Sequence, residues 1–140
     1  MAKYFLHVLI ISAILLPVIP LATCKTCPGT APYTVYIFSN LPEDSPMLRL
    51  HCASKDDDLG NHTLAINERF TFDFCSNGIS TLFYCDAWWG PKHVHFDAFK
   101  QTFTRANCNV DTCYWAAKTD GLYFSNYYPP RGLTKKFDWS

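Results

Sequence analysis

The most constraining feature of the sequence is the stretch of residues 48–60, which reads LRLHCASKDDDLG. In its first half, Leu48, Leu50 and Cys52 alternate with Arg49 and His51, which is the period-2 pattern of a half-buried strand. The second half contains one lysine and three consecutive aspartates, and such charges are costly to bury without partners. The stretch therefore predicts a disulfide-stapled β-domain in which a strand ends on a cysteine and opens into an acidic loop.

The first 24 residues have the organisation of a secretory signal peptide. Lys3 supplies a basic start, residues 5–16 are almost wholly apolar, and small residues precede a cleavage point after residue 24 or, alternatively, after residue 22. The apolar run is shorter than the roughly 20 residues that a membrane-spanning helix needs, and Pro17 and Pro20 interrupt its end. We therefore expect a secreted, extracellular protein that is not an integral membrane protein, with residues 25–140 forming a single β-sandwich domain.

Cysteine usage agrees with export. Cleavage after residue 24 leaves an even set of cysteines, as expected for a disulfide-stabilised secreted domain, namely Cys27, Cys52, Cys75, Cys85, Cys108 and Cys113. Cleavage after residue 22 would add Cys24 as an odd thiol. Six cysteines allow fifteen connectivities, so the sequence alone leaves the pairing open.

Charge and motifs exclude several classes of function. The chain has 12 basic and 12 acidic side chains, whereas a nucleic-acid binder would show a clustered basic surplus. The sequence contains no G-x-S-x-G nucleophile motif and no glycine-rich phosphate loop. We therefore expect no nucleic-acid partner, no enzymatic activity and no cofactor.

Short β-type segments separated by turn residues fill the rest of the chain. Phe70, Phe72 and Phe74 alternate with polar residues, and Asn77-Gly78 favours a tight hairpin. This spacing predicts a small all-β, antiparallel, immunoglobulin-like β-sandwich, with Phe137 and Trp139 docking the tail on the core. The predicted strands cover residues 33–40, 48–52, 62–66, 69–74, 81–88, 93–99, 113–117 and 122–125.

Several ordered motifs resemble the plant self-incompatibility protein family, also called the S-protein homologues. They are Val35 and Ile37 with an offset Asn40-Leu41, the block of residues 48–60, Phe70 with Phe72, residues 81–89 (TLFYCDAWW), residues 96–99 (FDAF), and the segment of residues 108–123 with C-x4-C-x-W and DGLY. Together these motifs span nearly the whole chain after the leader.

The resemblance implies a small secreted β-sandwich that acts as an extracellular signalling or recognition ligand and not as a catalyst. In the best-known members, the secreted protein is a stigma determinant recognised by a receptor on pollen, so the implied partner is a cell-surface receptor protein. Cys52, Cys85, Cys108 and Cys113 match family positions, whereas Cys27 and Cys75 are additional and could form a third bridge.

Two candidate sites lie in or beside the acidic stretch. The segment Lys55, Asp56, Asp57, Asp58 and Leu59 is the predicted partner-facing loop, because recognition residues concentrate on exposed loops. It is a poor calcium loop, since a loop of EF-hand type starting at Asp56 would place Gly60 and Asn67 at ligand positions. Asn61-His62-Thr63 is an N-x-T acceptor, so Asn61 is the predicted glycosylation site.

Two alternative functions remain open on sequence grounds. His93, His95 and Asp97 alternate on one predicted strand and could share a face as metal ligands of an enzyme, although the same pattern describes an amphipathic strand with a solvated outer face. Trp88 and Trp89 could line a carbohydrate-binding surface of a defence protein, although aromatic residues more commonly fill a small core.

Overall fold

The computed structural model describes residues 26–108 and 110–140 of the chain, and this part folds into nine β-strands. The predicted leader, residues 1–24, lies outside the described residues. No helix long and apolar enough to cross a bilayer occurs in the described part of the chain. The strands are β1 (Ala31–Ser39), β2 (Leu48–Ser54), β3 (Asp58–Leu64), β4 (Arg69–Ser76), β5 (Leu82–Trp89), β6 (Lys92–Lys100), β7 (Thr112–Lys118), β8 (Gly121–Ser125) and β9 (Thr134–Phe137).

The strands form two sheets, which confirms the predicted all-β class. One sheet has five strands in the order β4-β1-β7-β8-β9, and the other has four strands in the order β3-β2-β5-β6. All paired strands are antiparallel except β1 and β7, which run parallel. This parallel pair differs from the purely antiparallel prediction, and the immunoglobulin-like topology stays a prediction.

A single hydrophobic core lies between the sheets and follows the period-2 pattern of the sequence. Leu48, Leu50 and Cys52 on β2 are at most 1% exposed, as are Val35 and Ile37 on β1. Burying each large aliphatic side chain stabilises the fold by about 1.5–3 kcal/mol relative to leaving it in water. Because alternate residues of these strands carry the apolar groups, a one-residue slip in strand pairing would turn those groups towards solvent, which fixes the register within each sheet.

Three disulfides are present among the residues that the structure describes. Cys52 and Cys85 lie directly opposite one another on β2 and β5, with Cα atoms 4.1 Å apart. Cys108 pairs with Cys113 at the start of β7, and Cys27, which precedes β1, pairs with Cys75 on β4. The additional cysteines Cys27 and Cys75 therefore form a third bridge, between the segment before β1 and an edge strand.

The structure corrects two local predictions. Strand β3 begins at Asp58 and ends at Leu64, earlier than the predicted residues 62–66, because Asp58 already pairs with Ala53 of β2. The Asn77-Gly78 turn does not close a hairpin, since β4 and β5 lie in different sheets. Local turn chemistry was predicted correctly, with Gly78 at a φ of 78°, but the partner strands were wrong.

The C-terminal residues cross from one sheet to the other. Strand β9, which the sequence did not predict, pairs with β8 and brings the Phe137 ring 6.1 Å from that of Trp115. Beyond it, the Trp139 indole donates to the carbonyl of Lys118 at 2.8 Å, and Ser140 exchanges two backbone hydrogen bonds with His93 on β6. The predicted docking of the tail through Phe137 and Trp139 is therefore confirmed.

Candidate recognition site

The acidic stretch forms a tight turn between β2 and β3, here called the acidic turn (residues 55–57). The Ser54 amide donates to the Asp57 carbonyl at 2.7 Å, and the Asp57 amide donates to the Ser54 hydroxyl at 3.1 Å. The predicted loop of residues 55–59 is therefore too long, because Asp58 and Leu59 belong to β3. Leu59 packs in part against the core, so the exposed charged residues of the turn are Lys55, Asp56 and Asp57.

Asp58 stabilises the base of the turn. One of its carboxylate oxygens, Oδ1, accepts a hydrogen bond from the Gly60 amide at 2.9 Å and lies 2.8 Å from Nε2 of His51. The Gly60 amide, and after it His51, holds the pKa of the Asp58 carboxyl below its usual value. Asp58 therefore serves the local structure, and Asp56 and Asp57 remain as the carboxylates available to a partner.

A cleft of about 830 Å³ adjoins the acidic turn, and we refer to it as the loop-end cleft. Its walls come from the acidic turn and from the connection between β4 and β5, while Phe74 and Phe83 contribute aromatic rings. The connection is held by Asn77, whose side-chain oxygen accepts backbone hydrogen bonds from Ile79 and Ser80, both at 2.8 Å. No local sequence pattern predicts this cleft, because its two walls are separated along the chain and meet only when the sheets pack.

The carboxylates of the acidic turn form no ion pair with any residue that the structure describes. Among residues 26–108 and 110–140, no ion pair within 4.0 Å involves Lys55, Asp56 or Asp57. Because no ion pair among the described residues compensates their charge, both carboxylates can attract a basic group of a partner. The site thus combines two free carboxylates with an adjacent cleft that is partly aromatic.

The glycosylation candidate Asn61 lies on β3, not in the turn that precedes it. Strand β3 is an edge strand of the four-stranded sheet, and Asn61 is exposed opposite His51. An acceptor asparagine must be accessible to be modified, and this position meets that requirement. Modification of Asn61 stays a prediction.

The histidines proposed as metal ligands form a hydrogen-bonded cluster instead. Nε2 of His93 lies 2.8 Å from Oδ1 of Asp86, and Nδ1 of His95 lies 3.0 Å from the same oxygen. Burial raises the pKa of Asp86, but the two histidines outweigh it and leave that pKa below its usual value. Within the described residues, no group of three or more His, Cys, Asp or Glu side chains has the geometry to hold a metal ion.

The spacing of residues around the turn between β5 and β6 is a sequence signal for this cluster. Strands β5 and β6 are joined by Gly90 and Pro91, so that Trp89 pairs with Lys92. Counting back along both strands from this turn places Asp86 opposite His95. The register of a short hairpin was therefore enough to find the partner of the histidines.

The two tryptophans proposed for sugar binding are engaged within the protein. The Arg49 guanidinium lies 5.2 Å from the centre of the Trp88 ring, and the His93 ring lies 5.3 Å from it. Trp89 donates its indole N–H to the Ser45 hydroxyl at 3.2 Å and packs in part against the core. These contacts favour structural roles for both rings.

Comparison with known proteins agrees with the resemblance seen in the sequence. The profile of the family described as plant self-incompatibility protein S1 matches residues 34–139. S-protein homolog 5 of Arabidopsis thaliana is 37% identical over 89 residues, which cover 63% of this chain and 67% of that protein. S-protein homolog 1 of the same plant is 38% identical over 81 residues, covering 56% of this chain and 54% of that protein. The chain thus spans about half the length of S-protein homolog 1.

A solved structure shares the fold. It belongs to the SPH (self-incompatibility protein homologue) proteins, described as a widespread family of small, highly stable, secreted proteins from plants. The TM-score is 0.64 at 17% sequence identity, and the match covers 81% of this chain and 98% of that chain. The expected location outside the cell agrees with that description. Given the profile match over residues 34–139, the chain belongs to the plant self-incompatibility protein S1 family.

Proposed function

We propose that this protein is an extracellular recognition ligand in plant cell-to-cell signalling, with reproduction as one setting. It would bind a cell-surface receptor protein through the acidic turn and the loop-end cleft. The observation that carries the proposal is the acidic turn, where Asp56 and Asp57 lie beside the loop-end cleft and form no ion pair within residues 26–108 and 110–140. The sequence proposed residues 55–59 as contact residues, and we now propose that Lys55, Asp56 and Asp57 contact the partner. Asp58 and Leu59 belong to β3 and stabilise the base of the turn.

The geometry suits a preorganised contact. Cys52, two residues before Ser54, is bridged to Cys85, and the Ser54 and Asp57 hydrogen bonds close the turn above this bridge. A turn that is already ordered loses little conformational entropy on binding, which favours affinity. The free carboxylates would attract a basic segment of the receptor, and the aromatic cleft would accept an apolar side chain from the same segment.

The proposal is tested with the double substitution Asp56→Asn and Asp57→Asn. The control is Glu43→Gln with Asp44→Asn, which removes two exposed acidic charges from the connection between β1 and β2. Binding of the labelled secreted protein to plasma-membrane vesicles from plant tissues is measured against salt concentration. We expect the affinity of the Asp56→Asn, Asp57→Asn variant to fall about tenfold, because each of two lost exposed ion pairs would contribute roughly 0.7 kcal/mol. We also expect the affinity of the unmodified protein to fall as the salt concentration rises.

Two measurements separate a binding defect from a folding defect. Neither variant should shift the urea unfolding midpoint appreciably, because exposed charges contribute little to stability. Equal binding of both double variants would remove the acidic turn from the interface. Loss of binding accompanied by unfolding would show that the turn is structural.

We further propose that the protein is not a metal-dependent enzyme. Two of the three residues that suggested a metal enzyme, His93 and His95, both hydrogen-bond to Asp86. Metal analysis of the purified protein tests this, with His93→Ala as the comparison. Stoichiometric zinc that is lost in the variant would contradict the proposal.

Glycosylation of Asn61 is tested by mass spectrometry of the secreted protein. We expect the mass of Asn61→Gln to drop by that of an oligosaccharide, and Thr63→Ala to show the same drop because the acceptor requires the hydroxyl residue. Thr63→Ser should keep the sugar. If each of the four proteins had the mass of its own unmodified polypeptide, Asn61 would not be modified.

A further inference from the structure

A second cleft opens between the edge strands of the two sheets, where β6 and β9 face one another. It encloses about 340 Å³ and shares no lining residue with the loop-end cleft. This volume is near the lower end of the roughly 300–1,000 Å³ typical of small-molecule sites. We refer to it as the edge cleft.

The apolar surface of the edge cleft consists of three aromatic rings from three strands. Trp115 on β7 and Phe124 on β8 are 3% and 9% exposed, and Phe137 on β9 is 37% exposed. The ring centres of Trp115 and Phe124 are 4.9 Å apart, and those of Trp115 and Phe137 are 6.1 Å apart. The Trp115 indole is fixed by donating to the carbonyl of Ala98 at 3.1 Å, so this surface is formed before any ligand arrives.

The polar rim of the edge cleft is also ordered in advance. Asn107 exchanges two hydrogen bonds with the backbone of Lys100, at 2.9 and 3.0 Å. Its side-chain amide nitrogen, Nδ2, also donates a hydrogen bond to the backbone carbonyl of Asp97 at 3.3 Å. These contacts hold the connection after β6 against the strand and fix the backbone from which Lys100 projects.

The charged residues that line the edge cleft leave it with a net positive charge. Lys100, Lys136 and Asp97 line the cleft, which gives two ammonium groups against one carboxylate. Within the described part of the chain, none of the three forms an ion pair within 4.0 Å. The Lys136 ammonium lies 6.0 Å from the centre of the Phe124 ring. A ligand with a single negative charge would neutralise the lining.

We propose that the edge cleft binds a small organic monoanion, a carboxylate that carries one aromatic ring. The ring would lie against Trp115, Phe124 and Phe137, and the carboxylate would face Lys100 and Lys136. Both parts of the ligand are needed, because the aromatic surface supplies contact area and the uncompensated charge selects the anion. This site is separate from the acidic turn, so the proposal is independent of receptor binding there.

The test compares three probes that share one phenyl ring and a three-carbon chain: 3-phenylpropionate, 3-phenylpropanol and 3-phenylpropylamine. Binding to the secreted protein is followed by the shift of the Trp115 indole N–H signal in two-dimensional NMR. We expect the anion to bind more tightly than the alcohol, and the alcohol more tightly than the amine. Lys136→Gln should weaken the anion about threefold, as expected for one solvent-exposed ion pair, and leave the alcohol unchanged.

Two further variants complete the design. Lys92→Gln removes the same charge from the start of β6, outside the edge cleft, and should leave the affinity of the anion unchanged. Phe137→Ala should weaken the anion and the alcohol alike, because it removes part of the ring surface. Equal affinity for the three probes, an equal effect of Lys92→Gln and Lys136→Gln, or no Trp115 shift at millimolar anion would overturn the proposal.

Discussion

The three disulfides allow a quantitative test of how this small fold is stabilised. The change is the replacement of one bridge at a time by alanines, in Cys52→Ala with Cys85→Ala and in Cys108→Ala with Cys113→Ala. The two pairs are well matched, because Cys52, Cys85 and Cys113 are 0% exposed and Cys108 is 1% exposed. The cavities left by the lost sulfur atoms are therefore similar, and their effect largely cancels when the two variants are compared.

The main remaining difference is the length of chain that each bridge closes. The sequence separation is 33 residues for Cys52–Cys85 and 5 residues for Cys108–Cys113. In the chain-entropy description, closing these loops restricts the unfolded chain by about 3.7 and about 2.1 kcal/mol at 25 °C. We therefore expect the variant without Cys52–Cys85 to be less stable than the other by about 1.7 kcal/mol, roughly a 17-fold difference in the folding equilibrium.

Urea unfolding followed by tryptophan fluorescence measures this difference. Each variant is extrapolated to zero denaturant with its own slope, because removing a bridge changes the surface exposed on unfolding. If the variant without Cys52–Cys85 fails to fold while the other folds, the order still agrees with the expectation. Equal losses, or a larger loss for the variant without Cys108–Cys113, would refute the loop-length argument.

Two further predictions concern single residues. The pKa of Asp58 lies below its usual value, chiefly because the Gly60 amide donates a hydrogen bond to its carboxylate. The charged carboxylate should therefore stabilise the fold fully above pH of about 4. This stabilisation should be lost as the pH falls through the pKa of Asp58 in the folded protein. The difference in urea midpoint between the unmodified protein and Asp58→Asn should therefore be larger at pH 6 than at pH 3; a constant difference would contradict this. Gly121 has a φ of 147°, and a Cβ there would collide with the carbonyl of Phe137. Gly121→Ala should lower the free energy of unfolding by more than about 1 kcal/mol. Gly132→Ala should lower it by less, because a Cβ at Gly132 has open space around it. Equal losses would argue against the collision between the new Cβ and the Phe137 carbonyl.

The period-2 pattern was sufficient to predict most of the strands, because each strand buries alternate side chains in a shared core. Leu48, Leu50 and Cys52 show this most clearly, since all three are buried as predicted. Pairing between strands distant in sequence could not be predicted in the same way. The parallel alignment of β1 with β7, where Val35 lies opposite Cys113, depends on contacts that no local pattern encodes.

The same distinction explains what was predicted of the candidate site. Three adjacent aspartates indicated an exposed acidic segment, and the structure places Asp56 and Asp57 in an exposed turn. It assigns Asp58 to β3, because an edge strand can carry a charged residue whose side chain remains exposed and hydrogen-bonded. The loop-end cleft forms only when the two sheets pack together. The sequence of either wall was therefore insufficient to predict it.

The separation of stabilising and exposed residues suggests how this fold can support recognition. The Cys52–Cys85 bridge and the Asp58 hydrogen bonds fix both strands at the base of the acidic turn. The side chains of Asp56 and Asp57 beyond that base form no ion pair in the described part of the chain, so replacing them should cost the fold little. Because the scaffold does not depend on these two side chains, the chemistry of the turn can change without loss of the fold. A receptor that binds the acidic turn would then discriminate between chains that share one scaffold but differ at these residues. This discrimination is the physical basis of the proposed recognition role.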